Sequence, residues 1–208
     1  MKIIAISDTH GQHQNLAIPS GDILIHSGDV SGRGSRNEIL SFLDWFSSQS
    51  HKYKIFIAGN HDFFFEKNSG SEITIIIPPG ITYLNDSGIT IEGINIWGSP
   101  ITPWFYDWAF NRIRGNDIRK HWELIPTNTD ILITHGPPFG ILDRTAQGIN
   151  VGSEDLLEFI NKIRPKFHVF GHIHEGFGIR EINNVTYINA SVLDERYRLV
   201  NEPQIFTI

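Results

Sequence analysis

The chain contains no cysteine. That absence excludes disulfides, thiolate zinc sites and cysteine nucleophiles together. No apolar run approaches the ~20 residues that a membrane-spanning helix needs. Basic residues are not in excess: 17 Lys and Arg stand against 23 Asp and Glu, a formal net charge of -6 with His counted as neutral. Binding to long nucleic acid by backbone neutralisation is therefore not expected, and a DNA nuclease role is disfavoured. No internal repeat, low-complexity tract or linker interrupts the chain, and 208 residues suit a single domain spanning 1–208. The start, Met1-Lys2-Ile3-Ile4-Ala5-Ile6-Ser7, is apolar but short and runs directly into Asp8. Cleaving it as a signal peptide would delete the first strand, so a cytoplasmic location is expected.

What is present is an ordinary globular composition, 40% hydrophobic and 19% charged. Short Ile-rich runs read as buried strands at Ile3–Ile6, Ile23–Ile25, Lys54–Ala58, Ile131–Thr134 and His168–Phe170. Arg36–Ser48 and Ser153–Ile163 carry apolar residues at helical spacing, Ser153 being placed to cap the second helix. Asn116–Leu124 is a third expected helix. Strand-like pieces follow at Ile73–Ile77, Ile81–Leu84, Ile89–Ile91, Asn95–Gly98, Gly178–Ile182, Val185–Asn189 and Gln204–Ile208, with Asn183-Asn184 as a hairpin turn. Strands alternating with helices, beside meandering strands, predict an α/β protein of two packed mixed sheets with helices outside.

Five short motifs each follow a strand-like run. They are Asp8-Thr9-His10, Gly28-Asp29, Gly59-Asn60-His61-Asp62, Thr134-His135-Gly136 and Gly171-His172-Ile173-His174. Ligands of open α/β sheets bind beyond the carboxyl ends of strands, which is where these groups fall. Carboxylates and imidazoles without thiolate suit Mn2+, Fe, Zn2+, Co2+ or Ni2+, with Mn2+ favoured. Two ions ~3.5–4 Å apart can clamp the attacking and leaving oxygens of a displacement at phosphorus and make hydroxide available near neutral pH. One carboxylate must lie between such ions, and Asp29 is the candidate. Alternate residues of an extended segment point opposite ways, so His172 and His174 can both ligate only if the backbone bends there or the ions lie across the turn. Each motif alone carries little; all five in order carry the inference.

The ordered set Asp-x-His, Gly-Asp, Gly-Asn-His-Asp, His and Gly-His-x-His resembles the calcineurin-like metallophosphoesterase superfamily over nearly the whole chain. Ser99-Pro100, Pro103-Trp104-Phe105, Asp107-Trp108-Ala109-Phe110-Asn111, Thr134-His135-Gly136-Pro137-Pro138 and Phe170 to Gly176 are similar to its metallophosphoesterase-domain-containing branch, related to class III cyclic-nucleotide phosphodiesterases. The resemblance implies a four-layer α/β/β/α sandwich. It implies that Asp8, His10 and His174 hold one ion, that Asn60, His135 and His172 hold the other, and that Asp29 bridges. His61 would then be the catalytic general acid rather than a ligand. Many relatives carry Gly-Asp-x-x-Asp, whose later Asp orients that His; here Gly32 occupies the place, and Asp62 is merely adjacent to His61. Arg33 falls where phosphatase relatives carry a phosphate-binding Arg; a solvated loop residue is the other reading. Some members of the branch lose the first His of Gly-His-x-His, whereas His172 is kept here, as a competent enzyme requires.

The implied activity is hydrolysis of small phosphodiesters, cyclic nucleotides among them, by a metal-bridging hydroxide. A phosphomonoesterase acting on nucleotides or small phosphate esters is the alternative, and a nucleotide-binding protein with weak residual catalysis the second. Trp104, Phe105, Tyr106 and Trp108 either offer a face to a base or plug the core under a long loop. Arg112 and Arg114 either contact phosphate or ribose or face solvent.

Overall fold

A computed structural model describes all 208 residues. In chain order the strands are β1 (Lys2–Ile6), β2 (Ile23–Ser27), β3 (Tyr53–Ile57), β4 (Ile81–Tyr83), β5 (Ser87–Ile91), β6 (Ile94–Ser99), β7 (Thr102–Pro103), β8 (Asn111–Arg112), β9 (Ile131–Thr134), β10 (Phe167–Phe170), β11 (Gly178–Ile182), β12 (Val185–Asn189) and β13 (Gln204–Thr207). The helices are α1 (Arg36–Ser48), α2 (Phe63–Lys67), α3 (Gly70–Ile76), α4 (Asn116–Trp122) and α5 (Glu154–Ile163).

Two large sheets form, in the orders β13-β1-β2-β3-β4 and β11-β12-β10-β9-β6-β5. Strands β1 to β4 are mutually parallel and only the edge strand β13 runs against them. In the second sheet the inner strands β6, β9, β10 and β12 are parallel, and hairpins close both edges. Period-two alternation explains how the sheets stack. Ile3, Ile23, Ile25, Ile55 and Ile57 of one sheet meet Ile96, Ile131, Ile133, Val169 and Ile188 of the other in one buried cluster. Their neighbours Ile4, Ile6, Leu24, Phe56, Leu132 and Phe170 point the other way, into a second cluster that includes Phe42 and Phe46 of α1 and Leu156 and Ile160 of α5. The result is the expected α/β/β/α layering. Each fully buried Ile or Phe contributes roughly 1.5–3 kcal/mol, so the sheets form a rigid base for the loops at their ends.

Local signals decide the helix starts. Ser35 accepts from the Glu38 amide while the Glu38 carboxylate takes the Ser35 N–H, a capping box. Ser153 caps α5 through the Leu156 amide, as its position predicts. Asn183 and Asn184 both adopt positive φ (52° and 64°), the two-residue turn joining β11 to β12. One expectation is corrected: Ile73–Ile77 is not a strand, because residues Gly70–Ile76 are helical. Ser69 and Glu72 form a second capping box there, and only Ile73 of the helix is buried. A reciprocal cap outweighs the weak strand preference of an Ile-rich segment that packs few of its side chains.

Candidate metal centre and active site

The five motifs arrive at one place because parallel strands of both sheets deliver their carboxyl ends to it. The backbone turns sharply as each strand ends: Asp8, His10, Asp29 and His172 all adopt positive φ, at 56°, 42°, 55° and 69°. Such conformations cost of order 1–3 kcal/mol each for non-glycine residues and concentrate at functional sites. The turn at His172, followed by a short 3-10 helix from His174, is the bend that lets both imidazoles of this motif serve one site. Gly59 and Gly171 allow close approach. A Cβ at Gly59 would collide with the Asp29 carboxylate and backbone, and one at Gly171 with Asp8 and Ser7.

Three groups of side chains each place their donor atoms within 4.8 Å of one another: Asp8, His10 and His174; His10, Asp29 and His61; and Asp29, His135 and His172. Asp29 therefore lies between the set around His10 and the set around His135. Its Oδ2 is 3.6 Å from His10 Nε2 and 3.3 Å from His135 Nε2. Asp8 Oδ1 lies 3.7 Å from His174 Nε2, and Asn60 Oδ1 lies 2.9 Å from His135 Nε2. Backbone carbonyls fix the imidazoles from behind: His135 Nδ1 donates to Ser27 O at 3.0 Å and His174 Nδ1 to Asp194 O at 2.9 Å. Each Nε2 is thereby the atom turned toward the carboxylates, as metal-binding histidines are typically held.

These residues fit a pair of divalent ions on their own chemistry. Both ring nitrogens of His10 are buried and neither is hydrogen-bonded, a cost that ligation of an ion removes. The donors are oxygen and imidazole nitrogen throughout, a set that suits first-row divalent metals. Electrostatics agree. Burial would push His135 down, but the Asp29 carboxylate outweighs it and lifts the imidazole to about 9. Burial likewise opposes His174, and its contact with Asp8 lifts it to about 9. Burial would raise both carboxyls, yet the imidazoles hold Asp8 and Asp29 far below the usual carboxylate range. Negative charge is thus concentrated where cations, here protons, collect.

His61 stands at the edge of this centre. Its amide donates to Asp29 Oδ1 at 2.8 Å, and its Nδ1 donates to Gly32 O at 2.8 Å. The place where relatives carry an orienting carboxylate thus supplies a carbonyl. Asp62 does not reach the His61 ring. Its buried carboxylate accepts from the amides of Val30, Ser31 and Gly59 and from Ser31 Oγ, tying the loop after β2 to the loop after β3.

A cavity of about 500 Å3 opens above the cluster, lined by His10, Asp29, Asn60, His61, His172 and His174 on its floor. Trp104, Phe105, Trp108 and Tyr197 contribute its aromatic walls. Trp104 is 58% exposed at the rim. Arg114 also lines it, but its guanidinium donates to the carbonyls of Val151 and Gly152 and pairs with Glu154. Arg33 is exposed and is not among the cavity-lining residues. Tyr197 carries no motif and was not foreseen; its ring lies 4.9 Å from that of His10 and 5.3 Å from that of His174. Its positive φ of 58° is a signal only the backbone reveals.

The layered fold and the clustered His and Asp side chains define a metallophosphoesterase. The pattern of the calcineurin-like phosphoesterase family matches residues 1–176, and the chain belongs to this family. Metallophosphoesterase domain-containing protein 1 of Homo sapiens is 38% identical over 230 residues, covering 100% of this chain and 71% of that protein. A UPF0046 protein of Caenorhabditis elegans is 36% identical over 220 residues, covering 100% of this chain and 75% of its own length. A solved structure 19% identical superposes with a TM-score of 0.65 over 90% of this chain and 89% of that one, a likeness of fold. The family hydrolyses phosphoesters with divalent metals. No helix is long and apolar enough to cross a membrane.

Proposed function

We propose that the protein hydrolyses small phosphodiesters at a pair of divalent ions, with Mn2+ as the favoured metal. The observation that carries this reading is the position of Asp29 between two donor sets on the floor of one cavity. Asp8, His10 and His174 would hold one ion, Asn60, His135 and His172 the other, with Asp29 shared. When bound, the ions supply positive charge that polarises a phosphoryl group and acidifies a water.

The remaining chemistry belongs to side chains. Gly32 O accepts from His61 Nδ1, so Nε2 is the atom free to face the cavity and hand a proton to the leaving oxygen. The charge balance of the cavity favours a diester. Its one guanidinium, Arg114, is already satisfied by Glu154 and two carbonyls, so a second phosphate charge finds no free cation beyond the metals. A diester carries one negative charge, a monoester up to two. Aromatic walls accept a flat group carried by the ester's organic part, such as the base of a cyclic nucleotide.

Steady-state hydrolysis of bis-p-nitrophenyl phosphate and p-nitrophenyl phosphate with added Mn2+ tests the proposal. The diester is expected to give the higher kcat/KM. Preference for the monoester overturns the diester assignment, and absence of metal-stimulated turnover beside tight nucleotide binding overturns the enzyme assignment.

A further inference from the structure

The His61 ring is held on three sides. Gly32 O fixes Nδ1 at 2.8 Å. The His10 ring approaches edge-on at 4.5 Å between centroids and 83° between planes. On the remaining face lies Trp108, stacked at 4.2 Å and 27°. The loop that carries Trp108 is bonded to the same segment as His61. The amide of Ala109 donates to Asn60 O at 3.1 Å, and that of Phe110 to Glu66 of α2 at 2.8 Å. Phe63, two residues after His61, lies 6.0 Å from the indole. Ala109 and Phe110 are buried, so the indole rests on an anchored backbone while its own face meets the cavity.

We infer that Trp108 is a positioning residue for His61, a flat wall that, with Gly32 O, confines the ring to the one rotamer that keeps Nδ1–H on Gly32 O and turns Nε2 toward the leaving oxygen. This rests on the phosphoesterase reading above. The physical need follows from the partner that His61 has here, a backbone carbonyl. A carboxylate partner would hold an imidazole by charge and direction, whereas a neutral carbonyl is a weaker tether. The ring can pivot about a single hydrogen bond unless packing stops it, and a stacked indole stops it. In the proton transfer concerned, a water oxygen bonds to phosphorus and releases one proton to solvent, the bond from phosphorus to the leaving oxygen breaks, and a His61 ring protonated on both nitrogens passes its Nε2 proton to that oxygen, ending as the neutral Nδ1–H form still held by Gly32 O. A ring turned away leaves this last step to solvent.

The test uses Trp108→Leu, which removes the flat face, and Trp108→Phe, which keeps one. Turnover by the Mn2+-loaded protein is measured on methyl aryl phosphodiesters graded from p-nitrophenyl to phenyl, because nitrophenolate departs without a proton and phenolate does not. Trp108→Leu is expected to lower kcat about tenfold or more on the phenyl ester and less than about threefold on the nitrophenyl ester, a misaligned catalytic group costing up to ~10²-fold. Trp108→Phe is expected to restore the phenyl rate, and Trp108→Leu to add nothing in a His61→Ala background. Independently of turnover, histidine ¹H–¹⁵N spectra of the Zn2+-loaded protein should show the neutral His61 ring, the form left after proton transfer, locked as the Nδ1–H tautomer in wild type and Trp108→Phe, and averaged between tautomers in Trp108→Leu. Equal losses on all esters, a further loss in the His61→Ala background, or an unchanged His61 signal in Trp108→Leu overturns the inference while leaving the phosphoesterase reading intact. A locked ring that depends on Trp108 in a protein that turns over no ester overturns that reading and leaves the positioning role standing.

Discussion

His168 offers a quantitative test of how the strands that carry the site are held. It lies in β10 with no exposed surface, and its Nε2 is 2.8 Å from Thr134 Oγ1. That hydroxyl gives its one hydrogen to Gly136 O at 2.7 Å, so it accepts from the ring, and Nε2 carries the proton. Nδ1 is then buried with no partner, in a ring packed beside those of Phe170 and Tyr187. Protonating it would place a charge in apolar surroundings, and burial pushes the group down to about 3 from 6.5. The unfolded chain takes up this proton at pH 6.5, the folded chain only near pH 3. The stability His168 provides is therefore complete above pH 6.5 and drains away as pH falls toward 3. Between pH 6.5 and 5 the loss is about 2 kcal/mol, at ~1.36 kcal/mol per pH unit. His168→Gln keeps an N–H for Thr134 and removes the titration. Its stability deficit relative to wild type, measured by urea denaturation, should shrink by about 2 kcal/mol from pH 8 to pH 5. A deficit that stays constant across that range would falsify the argument, because His168 would then titrate alike in both states.

Other perturbations separate the parts of the site. Asp62→Ala strands three buried amides and a hydroxyl between the second and third strand loops; urea unfolding should show a loss of about 2–5 kcal/mol, and a change below ~0.5 kcal/mol would contradict the role assigned to that carboxylate. Asp29→Asn weakens both donor sets at once, so metal analysis should find neither ion retained at stoichiometric level; retention of two ions would exclude a shared ligand. His61→Ala should keep its metal and lose ~10²–10⁴ in turnover if it gives the leaving oxygen its proton. Loss of both ions in that variant would place His61 among the ligands instead.

Much of the architecture was legible because its causes are local. Helix α5 follows from its apolar spacing and the Ser153 cap, the turn after β11 from Asn183-Asn184, and the motif positions from the Ile-rich runs before them. Where two local signals disagreed, as at Ile73, the reciprocal Ser69–Glu72 cap was the better guide and the β-branched residues the poorer one. The strand-like end at Gln204 was visible as a strand, but its place beside β1 in the first sheet was not. Pairing partners across the whole chain leave no periodicity to read.

The sequence by itself determined which groups reach the strand ends: Asp8, His10, Asp29, Asn60, His61, His135, His172 and His174 follow their strands within a few residues, and short, continuously buried Ile-rich runs mark those strands. Tertiary structure alone decided what those groups face. It set the His172 amide against the Asp8 carboxylate from 164 residues away, gave His61 a carbonyl in place of a carboxylate, turned Arg114 onto Val151 and Gly152, and brought Tyr197 beside His10. The reason is one of range. Which residues alternate along a strand is set by neighbours in the chain, whereas strand partners and the site are contacts between distant segments that only the packing of two sheets brings together.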